Sequence, residues 1–224
     1  MQLRIEFLSS DSKTKTYHMK KLFTLFTLAS LTLLTSCAKI YFTDDAFELA
    51  EQHETIAIIP PTISIAAKKK VDAEAIKEQQ RTESLNFQKE MFAWMLKRKM
   101  KGQIQAEILD IETTNAMLEE AGFNDKTIAP KQLCEILGVD GVLTSNFGLS
   151  KPMSDGAAIA VAVLGGGGGA TNEVKVSLSI HDGANKKMIW NYDHKVSGGL
   201  GSSPSRIVDD VMRHASKKMP YFKK

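Results

Sequence analysis

The sequence predicts an α/β fold, in the α+β sense of one mixed sheet of about four or five strands with helices packed on it. Three observations carry that prediction. Short β-branched or alternating runs recur between longer stretches with helical spacing. Their order along the chain reads β-α-β-α-α-β-β-β-α, with no internal repeat. Hydrophobic content of 43% and charged content of 25% over 224 residues are values of a globular chain that can build a core.

The first strand is "TIAIIPP", Thr55 to Pro61, a β-branched run whose two prolines cannot donate to a ladder and are expected to end it. Val71 to about Lys101 contains no Gly or Pro and reads as one long helix. Its first half, "DAEAIKEQQRTES", is polar; its second, "LNFQKEMFAWMLKRK", is apolar and aromatic. Phe87, Met91, Trp94 and Met95 fall on one face, with Leu85, Phe92 and Leu96 widening it, so this half should meet the core. The polar half can project beyond the core and offer a partner surface. Lys97–Lys101 complements a helix C-terminus, and Gly102 is the natural stop.

A second strand is expected at Gln105–Asp110, a helix at "IETTNAMLEEAGF" ending at Gly122, and another at "TIAPKQLCEILGVD" with Pro130 near its first turn. "GVLTSNFGLS", Gly141 to Ser150, reads as a strand. Val174, Val176, Leu178 and Ile180 alternate with Lys175, Ser177 and Ser179, which is period two with one buried face. This strand turns within "DGANKK" and returns from Met188 to Val196. The last helix opens on Ser-Pro capping chemistry and carries Ile207, Val208, Val211, Met212 and Ala215 on its apolar face.

The N-terminal segment reads as an address. Lys20 and Lys21 precede the uncharged apolar run Leu22–Ser36, shorter than the roughly 20 residues of a bilayer span but suited to a signal peptide. The run closes in "LTSC", which resembles a bacterial lipobox with Cys37 as the lipidated, mature N-terminus. Residues 1–18 fit no part of a signal peptide, which makes Met19 the expected start. The expected organisation is therefore 1–18 as a mis-assigned start, 19–36 as lipoprotein signal peptide and 37–51 as a lipidated tether. Residues 52–224 follow as an α/β periplasmic domain with a Gly-rich insertion at 152–172. Ala38 rather than Asp after the cysteine favours, by resemblance to enterobacterial sorting, the outer membrane, with the domain facing the periplasm. Acyl chains would supply the anchoring, at about 0.8 kcal/mol per buried CH₂.

Charge follows the same division. Of 29 Lys/Arg and 26 Asp/Glu, residues 1–36 hold five and two, which leaves 24 of each in residues 37–224. A neutral mature chain gives no electrostatic case for nucleic acid. With Cys37 lipidated, Cys134 is the one remaining cysteine. It sits among Leu133, Ile136 and Leu137 and is expected as a buried, small apolar residue.

The stretch "GAAIAVAVLGGGGGATN", Gly156 to Asn172, is not a phosphate loop, because its glycines lead to no Lys and to a strand rather than a helix. Three readings of it stand: a surface loop, a contact or self-association element, and a membrane-inserting segment. The contact reading names Ala157, Ile159, Val161, Val163, Leu164, Gly165, Gly167 and Gly169. No close His/Asp/Glu spacing marks a metal site; His53 and His214 sit in unrelated segments, and Asp182-Gly183 is turn chemistry. Asp209 and Asp210 are adjacent on a helix and make a poor acid/base pair. No catalytic residue, metal, cofactor or small-molecule substrate is expected.

The element order, with "TIAIIPP" opening the domain and "LCEILGVDGVLTSNF" before the later strands, resembles a group of periplasmic α/β lipoprotein domains. The group includes the curli secretion lipoprotein, the lipoprotein activators of penicillin-binding proteins and the N-terminal domain of TolB. The shared elements are a strand like Ile56–Pro60, a helix ending at Leu137–Asp140 and a strand like Gly141–Phe147, within roughly residues 52–220. The resemblance implies binding to other envelope proteins and carries over no catalytic residues. The expected function is a non-enzymatic, lipid-anchored protein that binds or scaffolds envelope proteins, or itself. The alternative is a subunit of an oligomeric outer-membrane export pore.

Overall fold

Alternation of side chains along the strands gives the sheet two unlike faces, and the helices divide unevenly between them. The computed structural model describes residues 38–66, 73–150, 172–198 and 203–223. In chain order the elements are β1 (Lys39–Phe42), α1 (Ala46–Gln52), β2 (Thr55–Ile58), β3 (Thr62–Ile65), α2 (Ala73–Lys99) and β4 (Glu107–Ile108). There follow α3 (Ile111–Glu120), α4 (Pro130–Leu137), β5 (Gly141–Leu149), β6 (Asn172–Asp182), β7 (Lys187–Gly198) and α5 (Pro204–Ala215). The strands form one mixed sheet in the order β1-β7-β6-β5-β2-β4, with β3 also on β5. β5 is the pivot: β2 and β3 run parallel to it on one side and β6 antiparallel on the other.

The α/β class and the helix-and-strand order hold, but the described residues carry seven strands rather than four or five. Two are additions. Pro60 and Pro61 interrupt the ladder without ending it. Ile58 pairs with Leu143 and Thr62 with Asn146, so four steps on one strand span three on β5, a one-residue bulge. β1 lies inside the stretch read as a tether. Its four exposed residues show no alternation of burial, so nothing in their pattern marks a strand; pairing with β7 makes them one. β4 shrinks to two residues because Asp110 leaves the strand to cap α3, its side chain accepting the Thr113 N–H at 2.8 Å.

On one face α1, α2 and α5 bury the main core. Ile56, Ile58, Leu143 and Phe147 meet Phe87, Met91 and Met95 of α2, and Val176, Leu178 and Trp190 meet Ile207, Val211 and Met212 of α5. Trp94 ties the two long helices together, its indole N–H donating to Asp209 at 3.1 Å. On the other face α3 and α4 cover β2, the start of β5 and the adjoining end of β6, with Leu118, Leu133 and Leu137 packed among Ala57, Ile59 and Val142. The rest of that face is polar: Asn191 reaches the hydroxyls of Ser177 and Ser179, each at 3.1 Å.

The apolar face of α2 is narrower than its spacing suggests. Phe87, Met91, Trp94 and Met95 are buried, whereas Leu85 and Leu96 stay exposed and Phe92 is half-buried. The core instead takes two polar side chains, Glu83 and Gln88. Gln88 donates to the Ile58 carbonyl at 2.8 Å and exchanges amide hydrogen bonds with Asn115 at 2.9 Å. It thereby satisfies the β2 edge where β4 has already stopped.

Phe87 packs on Phe147 with ring centroids 4.3 Å apart. Phe87→Ala is expected to cost about 3–5 kcal/mol in urea unfolding, and Leu96→Ala under about 1 kcal/mol. Equal losses would mean that α2 is rotated from this packing.

Candidate functional site

Two places gather unusual side chains: a buried polar cluster at one end of the sheet and an open groove beside α2. The cluster starts from Asp140, in the loop between α4 and β5. Its carboxylate accepts the N–H groups of Glu54 and Thr55 at 2.8 and 2.9 Å, and its own N–H donates to the Thr55 carbonyl. Its carbonyl accepts from Gly183. One residue thus fixes the start of β2 and the β6–β7 turn.

His53 lies directly behind. Its Nε2 is 2.9 Å from the Asp182 carboxylate and its Nδ1 is 2.8 Å from the Tyr221 hydroxyl; all three side chains are buried. Burial alone would raise the Asp182 pKa, but the His53 bond and the Asn185 amide outweigh it and hold the carboxyl below the usual range. Burial pushes Tyr221 well above an ordinary phenol. An ionised Asp182 and a protonated Tyr221 assign the hydrogens: Nε2–H donates to Asp182, and Nδ1 accepts from Tyr221. Both ring nitrogens are engaged inside the buried cluster, which ties three segments of the chain together.

Two glycines make room at this end of the sheet. A Cβ on Gly141 would stand 2.6 Å from both His53 Nδ1 and the Tyr221 oxygen, and one on Gly183 would stand 2.8 Å from Cys134 Cβ. Cys134 is buried, as its surroundings in sequence indicate. Burial, then Asp182 and Asp140, push its thiol up to about 11, which keeps it protonated and unreactive.

The structure also unites histidines that the sequence separates. His194 of β7 and His214 of α5 lie 6.1 Å apart by ring centroid, continuing a row of rings from Trp190 and Tyr192. Among the described residues no three His, Cys, Asp or Glu side chains are placed to hold a metal ion. Asp209 and Asp210 are structural: Asp209 accepts from Trp94 and Arg213, and Asp210 faces His214 at 3.7 Å.

The groove has a volume of about 720 Å³ and lies between the polar half of α2, the Pro60–Pro61 bulge and α3. Glu74 and Glu78 form one row along its α2 rim, and Lys77 and Arg81 the next. The far wall adds Glu119 and Asp125, and Leu85 and Phe123 give it apolar patches. Leu85 is exposed here, which explains why it does not join the core.

Cys37 and the contact residues Ala157, Ile159, Val161, Val163, Leu164, Gly165, Gly167 and Gly169 lie outside the described residues. Among those that are described, no helix is long and apolar enough to cross a membrane.

No protein family matches the chain, and no curated protein matches it. Several solved structures show a likeness, among them the following three. Lipoprotein GNA1162 from Neisseria meningitidis has 14% identity and a TM-score of 0.43, over 74% of this chain and 96% of that one. The PelC dodecamer from Paraburkholderia phytofirmans has 11% identity and a TM-score of 0.38, over 84% and 99%. The LpoB C-terminal domain from Escherichia coli has 10% identity and a TM-score of 0.31, over 65% and 84%. Values this low assign neither family nor function.

Sequence reasoning missed the cluster because its members stand 129 and 168 residues apart. The signal that could have found it is the Asp-Gly pair at both Asp140–Gly141 and Asp182–Gly183.

Gly141→Ala is expected to cost about 1–3 kcal/mol from the clash with His53 and Tyr221. Tyr221→Phe, which leaves Nδ1 without a donor, should cost about 1–3 kcal/mol by chemical denaturation. Neutral behaviour of both would remove the tie. The pH dependence has a definite sign. Asp182 is depressed in the folded state, so its contribution is present above the unfolded carboxylate value near ~3.9 and is lost as pH falls through the lower folded value. Asp182→Asn should therefore lower stability at neutral pH and flatten the acid limb of the stability curve below about pH 4.

Proposed function

We propose that the chain is a non-enzymatic, lipid-anchored protein of the bacterial envelope that binds other envelope proteins. In this reading Cys37 carries the lipid and the domain faces the periplasm from the outer membrane. The observation that carries the binding role is the groove. The polar half of α2 leaves the sheet and, with the proline bulge and α3, encloses a cleft with a charged rim and an exposed leucine. Four acidic and two basic side chains line it, which suits a polypeptide segment with apolar and basic side chains. The buried polar residues support the same reading, since His53, Asp182 and Tyr221 use their polar atoms on one another and on the backbone.

Cys37→Ser is expected to abolish labelled palmitate incorporation and release the protein from the membrane fraction; retention of both overturns the anchor. A photo-crosslinking residue at Arg81 in cells is expected to give a discrete adduct with another envelope protein, lost on adding Leu85→Asp. An adduct unaffected by Leu85→Asp, or found equally from Lys195 on the open polar face, overturns the groove as the surface. Light scattering of the Cys37→Ser chain lacking residues 1–36 is expected to give a monomer or small oligomer. A large closed ring that collapses on deletion of residues 157–170 would instead indicate a pore subunit.

A further inference from the structure

The first strand begins almost at the anchor. One residue, Ala38, separates Cys37 from Lys39, the first residue of β1 paired with β7, and Ala38 itself packs against the core. Nothing between residues 38 and 42 is free to act as a linker. A chain spans at most ~3.6 Å per residue, so Tyr41 lies within roughly 15 Å of Cys37. The headgroup layer of one leaflet is itself roughly 5–8 Å deep.

The side chains at that end of the sheet are the wrong kind for open water. Seven large hydrophobic side chains stand exposed among the described residues, and three are consecutive here: Ile40 at 37%, Tyr41 at 53% and Phe42 at 48%. Register places them on both faces. Ile40 and Phe42 lie opposite Tyr192 and Trp190 on the helix-covered face, and Tyr41 lies opposite Asn191 on the polar face. Apolar exposure on both faces of an edge strand centres the patch on the edge itself. Met188, also exposed, adjoins it just beyond Ile189, whose carbonyl accepts the Thr43 N–H. Charge beside the patch is mixed: Asp45 is paired with Lys187 at 2.6 Å, Lys39 lies opposite Asp193, and Asp44 is exposed.

We propose that the edge formed by β1, with Ile40, Tyr41 and Phe42, lies against the lipid headgroups and seats the domain directly on the bilayer. This rests on Cys37 being the lipid-bearing residue. Tyrosine and other amphipathic rings favour the headgroup layer, and the outer backbone groups of an edge strand find water and polar headgroups there that the hydrocarbon lacks. The occupant is the bilayer surface rather than a second copy of the chain, because the covalent anchor already holds the strand within reach of lipid.

The test uses the lipidated protein purified from bacterial membranes and returned to vesicles of phosphatidylethanolamine and phosphatidylglycerol. A nitroxide is placed at Tyr41→Cys or, as a control in the groove, at Asp125→Cys; buried, protonated Cys134 stays unlabelled. Accessibility to oxygen over a water-soluble nickel complex is expected to be several-fold higher at 41 than at 125. Equal, water-like values on protein that floats with the vesicles overturn the seat and leave the anchor standing. Protein that does not float overturns the anchor. Dipolar broadening between labels at 41 overturns the seat in favour of a second copy on β1.

Discussion

A single carboxylate, that of Asp140, sets the register from which the sheet grows. It holds the backbone N–H groups at the start of β2, while its own backbone joins Thr55 and the β6–β7 turn. β2, β5 and the hairpin therefore meet at one level, and the imidazole of His53 then binds the hairpin's Asp182 and the C-terminal Tyr221 to that level. Four separate stretches of chain close over one another here. The requirement is steric as much as polar: a Cβ on Gly141 would enter the space of His53 and Tyr221, and one on Gly183 that of Cys134 on α4.

That junction explains the local sequence "LGVDG", Leu137 to Gly141. Gly138 takes the left-handed conformation that ends α4, with φ of 62°. Val139 turns into the core under α4, Asp140 caps β2 and Gly141 admits the ring above it. Four consecutive residues, Gly138 to Gly141, thus each have a separate mechanical task.

Periodic elements were legible in the sequence because one face of each is buried against a continuous core. The alternation from Val174 to Ile180, the stripe from Ile207 to Ala215 and the four buried residues of the long helix all took their expected places. Elements defined by pairing alone were not legible. β1 has no buried side chain to betray it, and β3 follows two prolines whose missing donors are absorbed by a bulge. The buried cluster was hidden for a related reason, since residues separated by most of the chain leave no spacing to read. Leu85 shows the converse case: correct helical spacing cannot tell a core position from a groove wall, because both lie on the same side of a helix that outruns its sheet.

The β1 edge and the groove stand on opposite halves of the sheet, with β7, β6 and β5 between β1 and the β2–β3 bulge. Four strand spacings of about 4.8 Å make that separation roughly 19 Å. Height is consequently built into the fold. In the proposed seating, the sheet acts as a rigid riser that carries the cleft clear of the headgroups while keeping it within a single domain's depth of them. On that proposal, partners that project that close to the membrane are within reach, and those that stay deep in the aqueous space are not. Inserting residues between the proposed anchor Cys37 and Lys39 would then lengthen that reach.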